Sequence, residues 1–272
     1  MVWFLVAVQI VLAYQHFDQS IWTLFEDTGV ILGTGFYSEG RLVTHVDHPE
    51  QQLYAAKIYK KTRQDEHRIR REIHAQNMVD HWSVPKLLFS FHDRRKDQWA
   101  LVMEYVEGKN IGTIQEDITR HTFFNPNVTV LRFMIAGMLE NLRVIHGSGV
   151  FHRDHVIPNM ILSKNGYIHA IDFSNSLYEY SPKELEFDVI RVCRTAGRFF
   201  FQSPQISSLP GIPTLRMLMR RHYRLSKPVS QFIQDCIENP QVDHLMQNKL
   251  FDNFDWDSFR NRTMPSPLKQ FL

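Results

Sequence analysis

The chain has 272 residues, enough for one or two domains and for a core that needs no metal or disulfide staple. At 43% hydrophobic and 22% charged it is neither a disordered nor a collagen-like chain, and a formal charge of +2 gives no bulk reason to expect a nucleic acid or an anionic membrane as partner. The only cysteines are Cys193 and Cys236, which excludes a disulfide framework and a four-thiolate zinc site.

Met1 to Tyr14 is an apolar run broken only by Gln9. It is shorter than the ~20 residues a helix needs to cross a bilayer. It resembles the apolar core of a secretory signal peptide, with Val11 and Ala13 ahead of a cleavage point before Tyr14. That reading favours secretion or the ER lumen over cytoplasm or nucleus, and Asn-x-Thr triplets at Asn127 and Asn261 add little to it. No Lys or Arg precedes the run, as such signals usually require, so an apolar N-terminal strand or helix is the alternative.

From about Thr28 to Val106 the pattern is one of short β-rich runs: GVILGTG, GRLVTHV, LYAAKIY, KLLFSFH and WALVMEYV. They are separated by turn-formers such as Asp47-His48-Pro49 and Asp93-Arg94-Arg95. One helical stretch, Asp65 to Asp80, interrupts them, with Ile69, Ile73 and Ala75/Met78 at helical spacing. From Val128 helices dominate, led by an amphipathic run from Val130 to His146 that Gly147 and Gly149 end. Met160–Ser163 and His169–Ile171 read as a hairpin turning at Asn165-Gly166. The expected organisation is α+β: a small β-rich lobe (28–103), a joining segment (104–110) and a larger helical lobe (111–272).

Gly33-Thr34-Gly35 lies between two strand-like runs, where missing Cβ atoms let backbone N–H groups approach phosphate oxygens; a flexible hairpin explains the glycines equally well. A strand follows rather than a helix, so a dinucleotide-binding reading fails. Lys57 sits on the next strand, where a Lys is uncommon unless something negative meets it, and Glu72 on the following helix is a candidate partner. The strongest signal is Phe151-His152-Arg153-Asp154-His155-Val156-Ile157-Pro158-Asn159, followed after the hairpin by Ile171-Asp172-Phe173. Asp154 is suited to accept a hydroxyl proton, and Asn159 and Asp172 offer hard oxygen ligands for Mg²⁺.

This ordered set resembles the eukaryotic protein kinases: HRD-x4-N, then DF, preceded by GxG, AxK and a helical Glu. The resemblance spans roughly residues 28 to 272 and implies a two-lobed kinase-like fold. Ile31–Lys61 and Lys86–Tyr105 look like the small lobe of AGC-type Ser/Thr kinases, particularly the phosphoinositide-dependent ones. Phe232–Ile237 and Leu250–Trp256 are similar to that group's last helices and its FF…W close. What the resemblance implies is ATP and Mg²⁺ as cofactors and phosphoryl transfer to Ser/Thr hydroxyls of an unidentified protein, with no nucleic acid involved. Leu32, Gly33, Thr34 and Gly35 would cover the phosphates, Lys57 would pair with the α/β-phosphates and Glu72, and Ala55 and Ile161 would sandwich the adenine. Met103, with backbone groups of Glu104 and Val106, would meet the adenine edge; Asn159 and Asp172 would hold the metal, and Asp154 would orient the attacking hydroxyl.

The departures matter as much. Val156 and Pro158 stand where Ser/Thr and Tyr kinases respectively carry a cation near the catalytic Asp, and losing one transition-state donor costs ~3–4 kcal/mol. His155 is a substitute only if protonated and turned inward. Ser174 replaces the Gly of the metal-binding triplet, and Gln76 takes a position where an apolar residue is expected. Asp188, which resembles the buried Asp anchoring the large lobe, follows Asp172 by only 188 − 172 = 16 positions, too few for the usual peptide platform. Regulation is therefore expected to be absent or to come from a partner at the Glu72 helix. The competing functions are a nucleotide-binding pseudokinase scaffold and a small-molecule or glycan kinase. Two other groups read as surface: His67, His74 and His81 as a solvated helix face rather than a metal site, and Arg191, Arg194 and Arg198 as part of a mixed charged face.

Overall fold

The structure is a computed structural model, and it describes residues 14–50, 52–60, 66–124, 128–179, 181–201, 216 and 226–272. The apolar run to Ala13 and the triplet at Asn127 lie outside them. No helix among the described residues is long and apolar enough to cross a membrane. The chain forms two units, Met1–Glu66 with Lys86–Tyr105, and His67–Pro85 with Val106–Leu272.

The first unit is a six-stranded sheet: β1 (Gln15–Phe17), β2 (Phe25–Thr34), β3 (Ser38–His45), β4 (Leu53–Tyr59), β5 (Leu87–Asp93) and β6 (Gln98–Glu104), in the order β1-β5-β6-β4-β3-β2. Pairing is antiparallel except where β1 runs parallel to β5. Alternation along each strand sorts the side chains by face. Val43, Tyr54, Ala56, Ile58, Phe91, Ala100 and Val102 are buried together with Ile21 and Phe25. The residues between them, Ala55, Lys57, Leu101 and Met103, point to the opposite face, where Ala55, Lys57 and Met103 are only half-buried.

The second unit begins with α1 (Glu66–Met78) and is otherwise built on β7 (Gly108–Asn110), α2 (Ile111–Phe124), α3 (Val128–Gly147), β8 (Met160–Ser163), β9 (Ile168–Ala170), α4 (Pro182–Phe201), α5 (Lys227–Glu238), α6 (Val242–Met246) and α7 (Trp256–Arg260). Its core is helical: Phe133, Met134, Met138 and Leu142 of α3 meet Val192 and Phe199 of α4, Phe232 and Ile233 of α5, and Phe259 of α7. Each such side chain contributes about 1.5–3 kcal/mol by leaving water. Phe251, Phe254 and Trp256 pack ring against ring at centroid distances of 4.8–5.7 Å. Buried Glu140 on α3 is neutralised by Arg143 and by Arg260 of α7. Strands β7, β8 and β9 make a small antiparallel sheet. Gly108 is needed there, since a Cβ would stand 2.1 Å from the Leu162 carbonyl oxygen.

Two features differ from the sequence pattern. Strand β1 carries too little periodic signal to be read locally, and helix α2 is an element beyond those expected, its Ile111, Ile114 and Ile118 at helical spacing and all buried. And Cys193 and Cys236, with no framework to join, form one buried disulfide that ties α4 to α5.

Candidate active site

In the helical unit, the segment between α3 and β8 is organised around Asp188. This side chain, fully buried on α4, accepts hydrogen bonds from the backbone N–H of His152 at 2.8 Å and of Arg153 at 2.7 Å. The His146 Nε2–H adds a third at 3.1 Å. Burial alone raises the pKa of Asp188, but the hydrogen bond from His146 and the surrounding imidazoles outweigh it and hold the carboxyl below its ordinary value. The anchor permits a conformation that an L-residue rarely adopts: Arg153 has φ +59°. Asp172, at the other end of the β8–β9 hairpin, has φ +67°. Such left-handed residues cost on the order of 1–3 kcal/mol and persist where the surroundings over-determine them.

His152 finishes the scaffold. Its Nε2–H donates to the Ile171 carbonyl at 3.2 Å, and its Nδ1 accepts the Asp154 N–H at 3.3 Å, so one neutral imidazole joins the two loops. Burial pushes its pKa down, which preserves that tautomer. Phe173 packs on it at 4.8 Å within a cluster that includes Ala75 and Val79. The scaffold brings three of the expected residues together. Asn159 donates through Nδ2 to the Asp154 carbonyl at 2.9 Å and to Asp154 Oδ2 at 3.0 Å. The Ile171 N–H donates to the Asn159 carbonyl at 3.0 Å, which sets Asp172 beside Asn159. Asn175 Nδ2 also reaches Asp154 Oδ2, at 3.3 Å.

The donor set suits Mg²⁺. Among the described residues no cluster of three His, Cys, Asp or Glu could hold a metal. Mg²⁺, however, needs only one or two protein oxygens beside substrate phosphates and water. With its amide nitrogen committed to Asp154, Asn159 has Oδ1 left as an acceptor, and Asp172 supplies the carboxylate.

In the sheet unit, the pairing Gly33–Gly40–Lys57–Leu101 is a single row across β2, β3, β4 and β6. Paired residues share a face, so the two glycines clear the face to which Lys57 points, and a Cβ at Gly33 would meet nothing within 4 Å. Ala55, paired with Met103, lies one step along the same face. The Glu104 N–H donates to the Lys86 carbonyl at 3.0 Å. Leu32, Thr34 and Gly35 sit at the exposed β2–β3 turn, where the Gly35 N–H donates to the Ser38 carbonyl at 2.8 Å. Ile161, Val106 and Glu72 belong to the helical unit, Ile161 half-buried on β8 and Glu72 buried on α1.

Residues 27–206 match the model of the protein kinase domain. The chain belongs to the protein kinase family. Similar curated proteins are Ser/Thr kinases, AGC-like ones among them. The CBK1 kinase of Pneumocystis carinii is 28% identical over 54% of this chain and 28% of its own length. The Aurora-1 kinase of Arabidopsis thaliana is 26% identical over 61% of this chain and 55% of its own, and the RAC kinase of Drosophila melanogaster is 29% identical over 53% and 23%. The chain thus spans between about a quarter and about half of the length of these relatives.

Against that background the kinase domain's departures take physical form. His155 is no surrogate cation: it is fully buried, its Nε2–H donates to the Met138 carbonyl at 3.1 Å, and burial lowers its pKa to about 3. The cation near Asp154 comes from elsewhere, since Arg191 Nη1 on α4 lies 3.4 Å from Asp154 Oδ1. Its position three residues after Asp188, one helical turn along the same face, is the signal that would have found it. Gln76 is not a weak point either, because its buried amide donates to the Pro85 carbonyl at 2.8 Å. Ser174 is held by Arg68 of α1, which donates to its carbonyl and hydroxyl at 3.3 Å and to Asn175 Oδ1 at 2.8 Å. Of the three histidines, His67 and His74 are exposed on α1, in keeping with a solvated face, with His74 edge-on against Tyr178 at 4.5 Å; His81, beyond the helix, is half-buried and bonds Ser83 at 2.9 Å.

Proposed function

We propose that this kinase transfers the γ-phosphoryl group of ATP to Ser or Thr hydroxyls of a protein, with Mg²⁺, and does so slowly. What supports the reading is the locked pair Asp154–Asn159 beside Asp172, on a loop that Asp188 pins. Asp154 orients the acceptor hydroxyl and takes its proton. Arg191 on Oδ1, and Asn159 with Asn175 on Oδ2, fix the orientation of the carboxylate. Asn159 and Asp172 are the residues that would hold Mg²⁺, which when bound neutralises charge on the phosphate oxygens. Lys57 is assigned to the α/β-phosphates with Glu72 to steer it, the Leu32–Gly35 turn to covering them, and Ala55, Ile161, Met103, Glu104 and Val106 to the adenine.

Little more than positioning and charge neutralisation is required for this chemistry. Turnover is slow because Val156 contributes no charge at the transferring phosphate and the Arg191 guanidinium is spent partly on Asp154. The test has two readouts. Millimolar ATP with Mg²⁺ raises the melting temperature of the wild type but not of Lys57→Ala or Asp172→Ala, and ³²P passes from labelled ATP to a mixed protein panel in the wild type alone. A thermal shift with no transfer to protein would leave a nucleotide-binding scaffold, or a small-molecule kinase if sugars or metabolites become labelled. No shift at all would reject the nucleotide assignment.

A further inference from the structure

Arg191, Arg194 and Arg198 follow one face of α4, and the structure places them not on a mixed surface but around a hollow. With Thr195 and the catalytic-loop residues Val156, Ile157 and Pro158 they line a pocket of about 250 Å³. A water molecule occupies ~30 Å³ of liquid, so the pocket admits a polyatomic group. Among the described residues its lining contains three guanidinium groups and no carboxylate, and Asp154 lies against Arg191. Like charges at this helical spacing repel one another. Arg194 registers the strain, since burial and the neighbouring Arg191 both draw its pKa down. Arg191 also has its Nε buried without a hydrogen-bond partner among the described residues, while its guanidinium stacks on Phe187 at 4.7 Å. A row of guanidinium forks around a cavity matches the planar oxygens of phosphate or carboxylate.

We propose that this pocket is an acceptor subsite that receives a phosphate or carboxylate carried by the peptide substrate close to the hydroxyl being phosphorylated. The substrate is then an acidic or already phosphorylated peptide. The proposal rests on the protein-kinase reading above. Geometry limits where the anion lies. Arg191 touches Asp154, and Arg198 is seven residues further along α4, about 10.5 Å at the helical rise. An extended peptide advances ~3.4 Å per residue, so the anionic side chain stands within about three residues of the acceptor.

The test uses fluorescein-labelled degenerate peptides with a central Ser and one flanking phosphoserine, Asp or Gln, and reads anisotropy without ATP. The phosphoserine and Asp pools are expected to bind at least about tenfold more tightly than the Gln pool. Added salt weakens them, and Arg194→Glu and Arg198→Glu, checked for folding by circular dichroism, each abolish the preference. Should Arg194→Glu unfold, the milder Arg198→Gln carries the test, with a partial loss expected. Equal binding of the three pools, or an undiminished preference in a folded Arg198→Glu, overturns the subsite. Inorganic phosphate competing as well as phosphoserine peptide would overturn the assignment to a peptide. Transfer of ³²P to the same pools separates the two claims: transfer with no anionic preference removes the subsite and keeps the kinase, whereas anion-selective binding with no transfer supports the subsite and removes the kinase.

Discussion

His155, directly after Asp154, makes the helical unit sensitive to mild acid. In the unfolded chain its imidazole takes a proton near pH 6.5, whereas in the fold burial delays protonation to about pH 3. Below pH 6.5 the unfolded state therefore binds more protons, and stability falls with pH until the folded value is reached. At about pH 5 the difference is roughly 1.5 pH units, or about 2 kcal/mol from this side chain. His169, drawn down to about 4 by burial and by the charges of Arg262 and His81, costs a similar amount. Together they remove about 4 kcal/mol from a typical total of 5–15 kcal/mol. His152 and His81 are shifted in the same direction and steepen the loss. The carboxylates of Asp188 and Glu140, held below their ordinary values, lose their contributions only at still lower pH. The perturbation is His155→Gln, which retains an amide donor for the Met138 carbonyl but takes no proton. Urea unfolding from about pH 7.5 to about pH 5 should show the wild type losing stability steeply, and the variant losing about 2 kcal/mol less. The ring-proton NMR signal of His155 should stay unmoved over that interval. A signal that titrates near pH 6.5, or a wild type that loses less than about 1 kcal/mol, would refute the reasoning.

Removing the anchor of the Asp154 loop should be costly in the same unit. Asp188→Ala strands two buried N–H groups and releases Arg153 from its left-handed conformation, for a loss of about 3–5 kcal/mol by chemical denaturation and of measurable transfer. The disulfide closes a loop of 43 positions, so Cys236→Ser should lower stability by ~4 kcal/mol on the chain-entropy account, read as a lower urea midpoint. Arg191→Ala should reduce kcat at least about tenfold. Val156→Lys should restore part of the loss in that background and raise kcat by a smaller factor in the wild type, where a fourth cation enters the arginine pocket.

Most of the sheet was legible because its strands alternate. Tyr54, Ala56 and Ile58 go to the core and Ala55 and Lys57 to the open face, a period that survives without knowledge of any partner. Helix α3 was equally plain, since its apolar residues recur at helical spacing over five turns. Strand β1 was not. Its three residues carry no pattern, and they are held by partners far away in sequence, such as Ser90, which bonds His16 at 2.6 Å. Helix α2 went unread although Ile111, Ile114 and Ile118 recur at helical spacing, the signal that would have found it. At the site, Asp154, Asn159 and Asp172 were readable as a motif, but what controls them was not. His155 owes its neutrality to burial among residues far away in sequence, its Nε2–H meets a carbonyl seventeen residues back in α3, and Arg191 and Arg68 reach the loops from other helices. Two cysteines likewise announce nothing until α4 and α5 are packed together.

The same distant contacts bear on how transfer by this kinase domain would be controlled. A phosphorylation switch needs an unoccupied cation, a mobile segment and an accessible hydroxyl. Arg153, the residue that would receive the phosphate, already faces Glu184 Oε2 at 2.9 Å, on the first turn of α4. The segment has no slack, because α4 begins at Pro182, ten positions after Asp172, and Leu177 pairs with Phe151 on the way. Of its hydroxyls, Ser174 and Ser176 are buried, and Ser174 is clamped by Arg68; Tyr180 lies outside the described residues. A phosphate on Tyr178 or Ser181 would meet Glu179, Glu184 and Glu186 nearby in sequence before it met Arg153. Because Arg68, His74 and the Ala75–Val79 contacts with Phe173 hold α1 in place, no partner is required to seat the helix either. Activity is therefore expected to be constitutive. Tyr178→Phe, Tyr180→Phe and Ser181→Ala should leave transfer within about twofold of the wild type, phosphatase treatment should change nothing, and Arg68→Ala should lower kcat by about tenfold through loss of its three hydrogen bonds. Silencing by any one of the three replacements, reproduced by phosphatase on the wild type, would mean that the Arg153–Glu184 pair opens to a phosphate after all.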